Sequence, residues 1–235
     1  SFGDWVAPDV PQMSQWQARN KWTGTASLCN TSGLLAQIAE ILGNTADAKT
    51  YKALSDATAD AYCSLLTDGN GKLLEEFQTA YVLPLYLHMF PENVRAKAVD
   101  NLVRLVEKSD YCIGTGFPGT PYILFALADN GHADTAYKML LNTKCPSWLY
   151  EVKMGATTIW ERWNSLDENG TCPIGDDGTD KMISYNHYAS GAVGAFLYRR
   201  IAGLEATEPG YKRFAVKPVI GGGLTSASAS VDTPY

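Results

Sequence analysis

The chain has 235 residues, of which 46% are hydrophobic and 19% are charged, and 19 Lys and Arg against 25 Asp and Glu give a net charge of −6. This composition is typical of an ordered globular protein with one sizeable core or two smaller ones, and it argues against disorder. The absence of any basic run argues against nucleic acid as a partner. No apolar run approaches the roughly 20 residues that a membrane helix needs, so no membrane partner is expected.

Hydrophobic periodicity predicts that the chain opens with a helical hairpin. Between residues 25 and 42 the apolar side chains fall largely on one face, and Gly43 and Asn44 follow as a helix stop. A second amphipathic helix is expected from residue 45 to residue 66, before the turn sequence DGNG at 68–71. Because the connection between them is short, the two helices should pack against each other.

The helices that follow alternate between apolar and amphipathic character. Residues 79–89 are apolar nearly all round, which predicts an inner helix with a kink at Pro84. Residues 91–108 carry an apolar stripe and a charged opposite face, which predicts an outer helix. Shorter helices are expected further along the chain, at 121–128, 134–141 and 186–201.

Strand-like alternation occurs only near the C-terminus, around 211–219 and 226–231, after the Pro209-Gly210 breaker. We therefore predict an all-α fold, a toroid of helical hairpins in which amphipathic helices enclose apolar ones, with a short C-terminal β segment. An open helical solenoid is the competing architecture, but the sequence shows no repeat of fixed period.

Residues 114–119, GTGFPG, match the pattern G-x-G-x-x-G of dinucleotide-binding proteins. A polar helix end precedes them instead of a hydrophobic strand, so nucleotide binding is not expected. What the glycines do predict is a tight turn, or a close approach of the backbone to a ligand, between two helices.

The cysteines and histidines indicate neither a disulfide framework nor a metal site. The five cysteines are odd in number and widely spaced, which predicts free thiols, and His88, His132 and His187 are too scattered for a recognisable set of metal ligands. The acidic run at 176–180 lacks the spacing of a calcium loop. We expect no metal and no cofactor. The unpaired thiols, and first residues without the layout of a signal peptide, favour a cytoplasmic location.

The segment 155–163, GATTIWERW, places Glu161 between the indoles of Trp160 and Trp163. Indole faces stack on the C–H faces of sugar rings, and a partly desolvated carboxylate can exchange protons near neutral pH. The alternative is structural. The two Trp residues are three apart, the spacing of neighbours on a helix, and Glu161 with Arg162 could be a surface pair beside a buried Trp stripe.

Six short motifs occur in one order along nearly the whole chain: FGDW at 2–5, EFQTA at 76–80, TGFPGTPY at 115–122, PSW at 146–148, GATTIWERW at 155–163, and NHY at 186–188 with GAVG at 191–194. In these motifs the chain resembles the bacterial inverting α-L-rhamnosidases. The resemblance implies an (α/α)6-barrel glycoside hydrolase that removes terminal L-rhamnose from glycosides, followed by a β-sandwich. It divides the chain into part of the barrel at 1–208 and the start of the sandwich at 209–235.

The resemblance also assigns roles to individual residues. Glu161 matches the general base that activates a water molecule, and inverting chemistry needs a second carboxyl group about 6.5–9.5 Å from it. The residues implied in substrate binding are Asp4 as a hydroxyl acceptor, Trp5 as a ring platform, Trp160, Trp163 and His187. Of the two indoles beside Glu161, Trp163 is the one we expect to face the sugar. Trp148 and Tyr188 could line the pocket, but core packing is the expected role of each.

The family's general acid lies in an Asp-Glu-Arg stretch, and no such stretch occurs in these 235 residues. We therefore expect a C-terminal part of the catalytic domain, with the acid upstream of Ser1 and little activity in this chain alone. The apolar face of an incomplete barrel predicts self-association. A non-catalytic helical carbohydrate-binding or scaffold module, and an (α/α)6 glycosidase for another sugar, are the alternatives.

Overall fold

The computed structural model describes residues 2–172 and 183–235. This part of the chain is mostly helical. Its α-helices are α1 (Met13–Ala18), α2 (Asn20–Ile41), α3 (Thr45–Leu66), α4 (Gln78–Tyr86), α5 (Glu92–Lys108), α6 (Ile123–Ala128), α7 (Ala133–Leu140), α8 (Trp148–Lys153) and α9 (Val193–Phe196). A 3-10 turn (Ala189–Ala192) precedes α9 and a π turn (Leu197–Ile201) follows it, so that one composite helix runs from residue 189 to residue 201.

The helices pair as hairpins in two layers. Helices α2 and α3, α4 and α5, and α6 and α7 pack as consecutive pairs, and α4 also contacts α2 and α6. Helix α4 is buried along its whole length except at its last residue, although Pro84 lies inside it, and α6 is buried at five of its six positions. By contrast, α5 buries only one face. The prediction of apolar inner helices enclosed by amphipathic outer ones is therefore confirmed.

Several elements differ from the prediction. Helix α2 begins at Asn20, five residues before the predicted start, and the six-residue helices α1 and α8 were not predicted because one and a half turns show no clear periodicity. The sheet consists of the antiparallel strands β1 (Leu204–Ala206) and β2 (Phe214–Val216). The strand predicted around 211–219 is thus shorter than expected. The strand predicted at 226–231 is wrong, because that stretch pairs with no other strand.

The N-terminal ends of the inner helices lie at the same end of the molecule as the first residues of the chain. Asp4 contacts Arg19, which immediately precedes α2, Thr79 in the first turn of α4, and Gly116 in the loop before α6. This end of the molecule carries the candidate site. Among the described residues, no helix is both long enough and apolar enough to span a bilayer.

Candidate active site

The carboxyl group of Asp4 joins three segments of the fold. Asp4 is completely buried. Its Oδ1 accepts hydrogen bonds from Thr79 Oγ1 at 2.8 Å and from Gly116 N at 3.1 Å, and its Oδ2 accepts one from Arg19 Nη1 at 3.2 Å. Burial raises the pKa of this carboxyl to about 6, against the opposing effects of Thr79 and Arg19. Since both oxygens already have protein partners, a sugar hydroxyl would have to share them, and the predicted contact stays a prediction.

Arg19 extends this network to the surface. Its guanidinium makes a two-pronged ion pair with Asp9, with N–O distances of 2.7 and 2.8 Å, and lies 4.1 Å from the centre of the Phe77 ring. Such a pair fixes the orientation of the guanidinium as well as its charge. Arg19 and Asp9 were not predicted as site residues, because no local motif links two residues ten positions apart.

The backbone of Gly116 passes so close to Asp4 that only glycine fits. A Cβ at this position would lie 2.7 Å from Asp4 Oδ1 and closer still to the carbonyl oxygen of Trp5. A Cβ at Gly119 would lie 2.7 Å from Thr79 Oγ1. The backbone therefore makes the close approach with the protein's own chain, and an approach to a ligand stays a prediction.

Trp5 and His187 are brought into one neighbourhood by Phe117. The Phe117 N–H donates to the Trp5 carbonyl at 2.8 Å, and the Phe117 ring stacks on His187 with ring centres 4.9 Å apart. The His187 N–H in turn donates to the Ile159 carbonyl at 2.8 Å. Four motifs that are far apart in the sequence therefore meet at one end of the helices.

A second set of contacts links the same segments. The half-buried Trp5 ring packs edge-on against Trp16 at 5.3 Å, and the Arg162 guanidinium lies 5.5 Å from the centre of the Trp16 ring. Arg162 thus faces Trp16. Across the described residues no ion pair joins it to Glu161.

Glu161 lies in a segment of turns and bends that covers residues 157–166, so its flanking Trp residues are not neighbours on a helix. Its side chain is buried, with 8% of the residue exposed, and its backbone N–H donates to the Ser184 carbonyl at 2.8 Å. No residue in the described part of the chain donates a hydrogen bond to its carboxylate. Both carboxylate oxygens are therefore available to a ligand or a water molecule.

Trp160 and Trp163 are both buried and pack edge-on against other rings. Trp163 contacts Trp148 at 5.5 Å within the main hydrophobic core, and Trp160 contacts Tyr185 at 5.8 Å. The predicted stacking of a sugar on Trp163 stays a prediction. Trp148 is buried, as expected, whereas Tyr188 is 88% exposed, so the expected core packing is wrong for Tyr188.

His187 is half-buried and its imidazole has a defined hydrogen-bond partner. The Ala189 N–H approaches Nδ1 at 3.4 Å, which makes Nδ1 the acceptor and leaves Nε2 to carry the proton of the neutral ring. The exposed Tyr188 ring stacks on the imidazole at 5.5 Å. A neutral His187 can therefore donate from Nε2 to a ligand hydroxyl.

Glu151 in α8 is a buried carboxyl group that the sequence analysis did not place in the site. It is 2% exposed, and its Oε2 accepts a hydrogen bond from the Trp160 N–H at 3.3 Å. Burial raises its pKa to about 7. The available signal was a single charge in an otherwise apolar run, between Tyr150 and Val152.

In the part of the chain that the structure describes, the cysteines and the remaining potential metal ligands form neither a disulfide nor a metal site. All five cysteines are free, and no three His, Cys, Asp or Glu side chains come close enough to hold a metal ion. The acidic run at 176–180 lies outside the described residues.

Comparison with known proteins identifies the family. A family profile described as the bacterial α-L-rhamnosidase 6-hairpin glycosidase domain matches residues 1–201. The chain belongs to the bacterial α-L-rhamnosidase family. A second profile, described as the bacterial α-L-rhamnosidase C-terminal domain, matches residues 203–235. The predicted domain boundary between residues 208 and 209 stays a prediction.

Two curated α-L-rhamnosidases match nearly the whole chain. One, from Formosa agariphila, is 37% identical over 239 residues that cover 100% of this chain and 25% of the relative. The other, from Streptomyces avermitilis, is 37% identical over 231 residues, or 97% of this chain and 21% of the relative. The chain thus spans between a fifth and a quarter of the length of these α-L-rhamnosidases.

Solved α-L-rhamnosidase structures confirm the prediction that the chain forms part of an (α/α)6 barrel. The native enzyme from Aspergillus terreus matches 94% of this chain with a TM-score of 0.87 and 36% identity, over 26% of its own chain. The enzyme from Streptomyces avermitilis, solved with L-rhamnose, matches 95% of this chain with a TM-score of 0.82 and 36% identity, over 20% of its own chain.

Proposed function

We propose that this chain is the part of an α-L-rhamnosidase catalytic domain that supplies the general base for hydrolysis of terminal α-L-rhamnosides. The observation that carries the proposal is the placement of Glu161. In a chain of this family, its carboxylate is shielded from solvent and free of protein partners among the described residues. It lies in the neighbourhood where Trp5 and His187 also meet.

Glu161 acts by accepting a proton from a water molecule as that water attacks the anomeric carbon. Neither oxygen accepts a hydrogen bond from the described residues, so either can accept that proton. A second carboxyl group protonates the leaving oxygen, and the product sugar has inverted configuration. The chain contains no Asp-Glu-Arg stretch. We propose that the acid belongs to a part of the family's catalytic domain that these residues do not cover.

The binding residues divide into two groups according to their burial. The half-buried Trp5 and His187 contact the sugar directly, through a ring face and through the Nε2 proton. The nearly inaccessible Asp4, Trp160 and Trp163 form the wall behind them and contact the ligand over their remaining exposed atoms. In this proposal the ligand is a glycoside or oligosaccharide with a terminal L-rhamnose.

The experiment introduces Glu161→Gln into a polypeptide that spans the full length of the relatives. It then measures the hydrolysis of an aryl α-L-rhamnoside by this variant and by the unsubstituted protein. We expect kcat to fall by about a thousandfold, because the amide cannot accept the proton. Glu168→Gln is the matched control, since Glu168 is an exposed carboxylate seven residues away that forms an ion pair with Lys153. Its kcat should stay within about twofold of the original value.

Two further measurements complete the test. NMR spectroscopy during hydrolysis should show the β-anomer of rhamnose first. The isolated 235-residue chain should show negligible turnover, and turnover that Glu161→Gln abolishes in that chain would place the acid within these residues. Full activity of the Glu161→Gln protein would overturn the assignment of the base. Calorimetric binding of rhamnose without any turnover, measured on the polypeptide that spans the full length of the relatives, would favour a non-catalytic carbohydrate-binding module.

A further inference from the structure

The backbone around Glu161 is held from two sides. The Glu161 N–H donates to the Ser184 carbonyl at 2.8 Å, and the preceding N–H, that of Trp160, donates to the Glu151 carboxyl at 3.3 Å. These two neighbouring N–H groups lie in a non-helical segment, and each donates to a different partner. Together the two hydrogen bonds fix the position of the peptide unit between Trp160 and Glu161. This pair of contacts, which we call the Glu161 clamp, uses one backbone carbonyl and one side chain.

Glu151 is anchored to the rest of the fold by its helix. Ser147 caps α8 through its Oγ, which accepts from the Tyr150 N–H at 3.1 Å, and the Trp148 indole N–H donates to the Ser190 carbonyl at 2.9 Å. The Tyr150 hydroxyl donates to the Leu166 carbonyl at 2.8 Å. Helix α8 is therefore tied to two segments that follow Glu161 in the sequence, around Leu166 and around Ser190, and these contacts hold Glu151 in place.

The Glu151 carboxyl is an unusual choice for this contact. It is 2% exposed, its Oε1 is buried without a partner, and the Trp160 N–H is its single donor in the described part of the chain. A buried polar atom without a partner destabilises the folded state, and an apolar side chain of similar size would avoid that cost. The position therefore carries a cost in stability that the fold itself does not require.

We propose that Glu151 is a positioning residue for catalysis, which holds the general base Glu161 in place through the Trp160 N–H. This inference rests on the proposed function of Glu161. Base catalysis requires the carboxylate to lie within hydrogen-bond reach of the attacking water, and a displacement of about 1 Å can cost a hundredfold in rate. Glu151 touches neither substrate nor water in this role and acts only through the backbone of the Glu161 segment.

The contact responds to pH because its acceptor titrates. Burial raises the pKa of Glu151 to about 7, so the carboxyl changes its charge within the physiological range. Among the described residues, the Cys145 thiol interacts electrostatically with Glu151, and its pKa is raised to about 11 by burial, by Cys112 and by Glu151 itself. The thiol thus stays neutral while Glu151 titrates. The hydrogen bond from Trp160 is stronger to the ionised form of the carboxyl than to the neutral form.

Two substitutions separate the hydrogen bond from the bulk of the side chain. Glu151→Leu removes the acceptor at similar volume, and Glu151→Gln keeps an acceptor oxygen but cannot ionise. In a polypeptide that spans the full length of the relatives, we expect Glu151→Leu to lower kcat about 10- to 100-fold with KM changed less than about threefold. Glu151→Gln should restore kcat to within about threefold. Equal kcat values for all three proteins would overturn the proposal.

A measurement on the isolated chain tests the contact without activity. The backbone amide resonance of Trp160, followed by 15N NMR spectroscopy, should shift with a midpoint near pH 7 in the unsubstituted chain and should not titrate in Glu151→Gln. An amide that fails to titrate in the unsubstituted chain, or that titrates in both, would contradict the proposal even if Glu151→Leu did not fold. If Glu161→Gln keeps full activity while the Trp160 amide titrates as expected, the proposed function fails and the contact itself stands.

Discussion

At the scale of single residues, buried carboxyl groups organise the site end of the molecule. Asp4 accepts hydrogen bonds from three separate segments, and Glu151 accepts one from the segment of the proposed base. Burial of a carboxyl group without full compensation raises its pKa, and both groups show this shift. The hydrogen bonds and protonation states of Asp4 and Glu151 therefore affect the free energy of unfolding.

The substitution Asp4→Ala should destabilise the chain far more than Asp9→Ala. Removal of Asp4 leaves Thr79 and Gly116 without this acceptor in a buried place and leaves Arg19 with Asp9 as its carboxylate partner, and such a loss costs about 3–5 kcal/mol. Asp9 is partly exposed, so we expect its loss to cost about 1 kcal/mol. Urea denaturation followed by circular dichroism measures both free energies of unfolding. Equal costs would contradict the central role of Asp4.

Glu151 also predicts how stability depends on pH. Its pKa is raised from 4.5 to about 7 in the folded chain, so the folded state binds its proton more tightly than the unfolded state does. The resulting stabilisation is fully present below pH 4.5 and is lost as the pH rises through 7. Relative to Glu151→Gln, the unsubstituted chain should therefore lose up to about 3 kcal/mol of unfolding free energy between pH 4.5 and 8. Parallel pH profiles of the two proteins, measured by urea denaturation, would contradict the assigned shift.

At the scale of elements, the N-terminal ends of the inner helices lie close together. They can do so because glycines in the loop before α6 leave no side chain between that loop and the segments it packs against. The loop before α6 lies against Asp4 and Trp5 through Gly116, and against Thr79 in α4 through Gly119. The same loop carries Phe117, which stacks on His187 near the start of the composite helix. One glycine-rich connection thus sets the distance between the first residues of the chain and the last inner helix.

Gly116→Ala should disrupt this convergence, whereas Gly194→Ala should be tolerated. The methyl group at residue 116 would overlap a backbone carbonyl and a buried carboxyl, and overpacking of this kind costs about 1–3 kcal/mol. At residue 194, within α9, the methyl group meets nothing within 4 Å, and alanine favours a helix by about 0.5–1 kcal/mol over glycine. Thermal unfolding of the two variants should shift in opposite directions. A Gly116→Ala chain as stable as the original would contradict the close approach.

At the scale of the whole molecule, α2 exposes an apolar stripe that the described residues do not cover. The stripe consists of Leu28, Leu34, Leu35, Ile38, Ile41 and Leu42, each between 39% and 84% exposed. Residues spaced in this way lie on one face of a helix, and an inner helix of a closed barrel buries such a face against its neighbours. We propose that the isolated chain covers the stripe by association with a second copy of itself.

The double substitution Leu34→Glu and Ile38→Glu should make the isolated chain monomeric. Charges on the stripe remove the apolar area that drives association, because a buried unpaired carboxylate is costly. Gln37→Glu, at an exposed polar position of the same helix, is the matched control and should leave the association unchanged. Sedimentation velocity over a range of concentrations measures the oligomeric state. A monomeric original chain, or a control that dissociates as readily as the double variant, would contradict the proposal.

Local periodicity predicts the helical hairpins and their division into inner and outer layers, and motifs of three to nine residues predict the family. The sequence also identified Glu161 as the candidate base. Only the tertiary structure revealed the partners of Asp4, up to 112 residues away, the stacking of Arg162 on Trp16, and the contact of Glu151 with Trp160. Hydrogen bonds and burial of this kind depend on which distant segments of the chain meet in the folded protein. Neither composition nor periodicity encodes which segments these are.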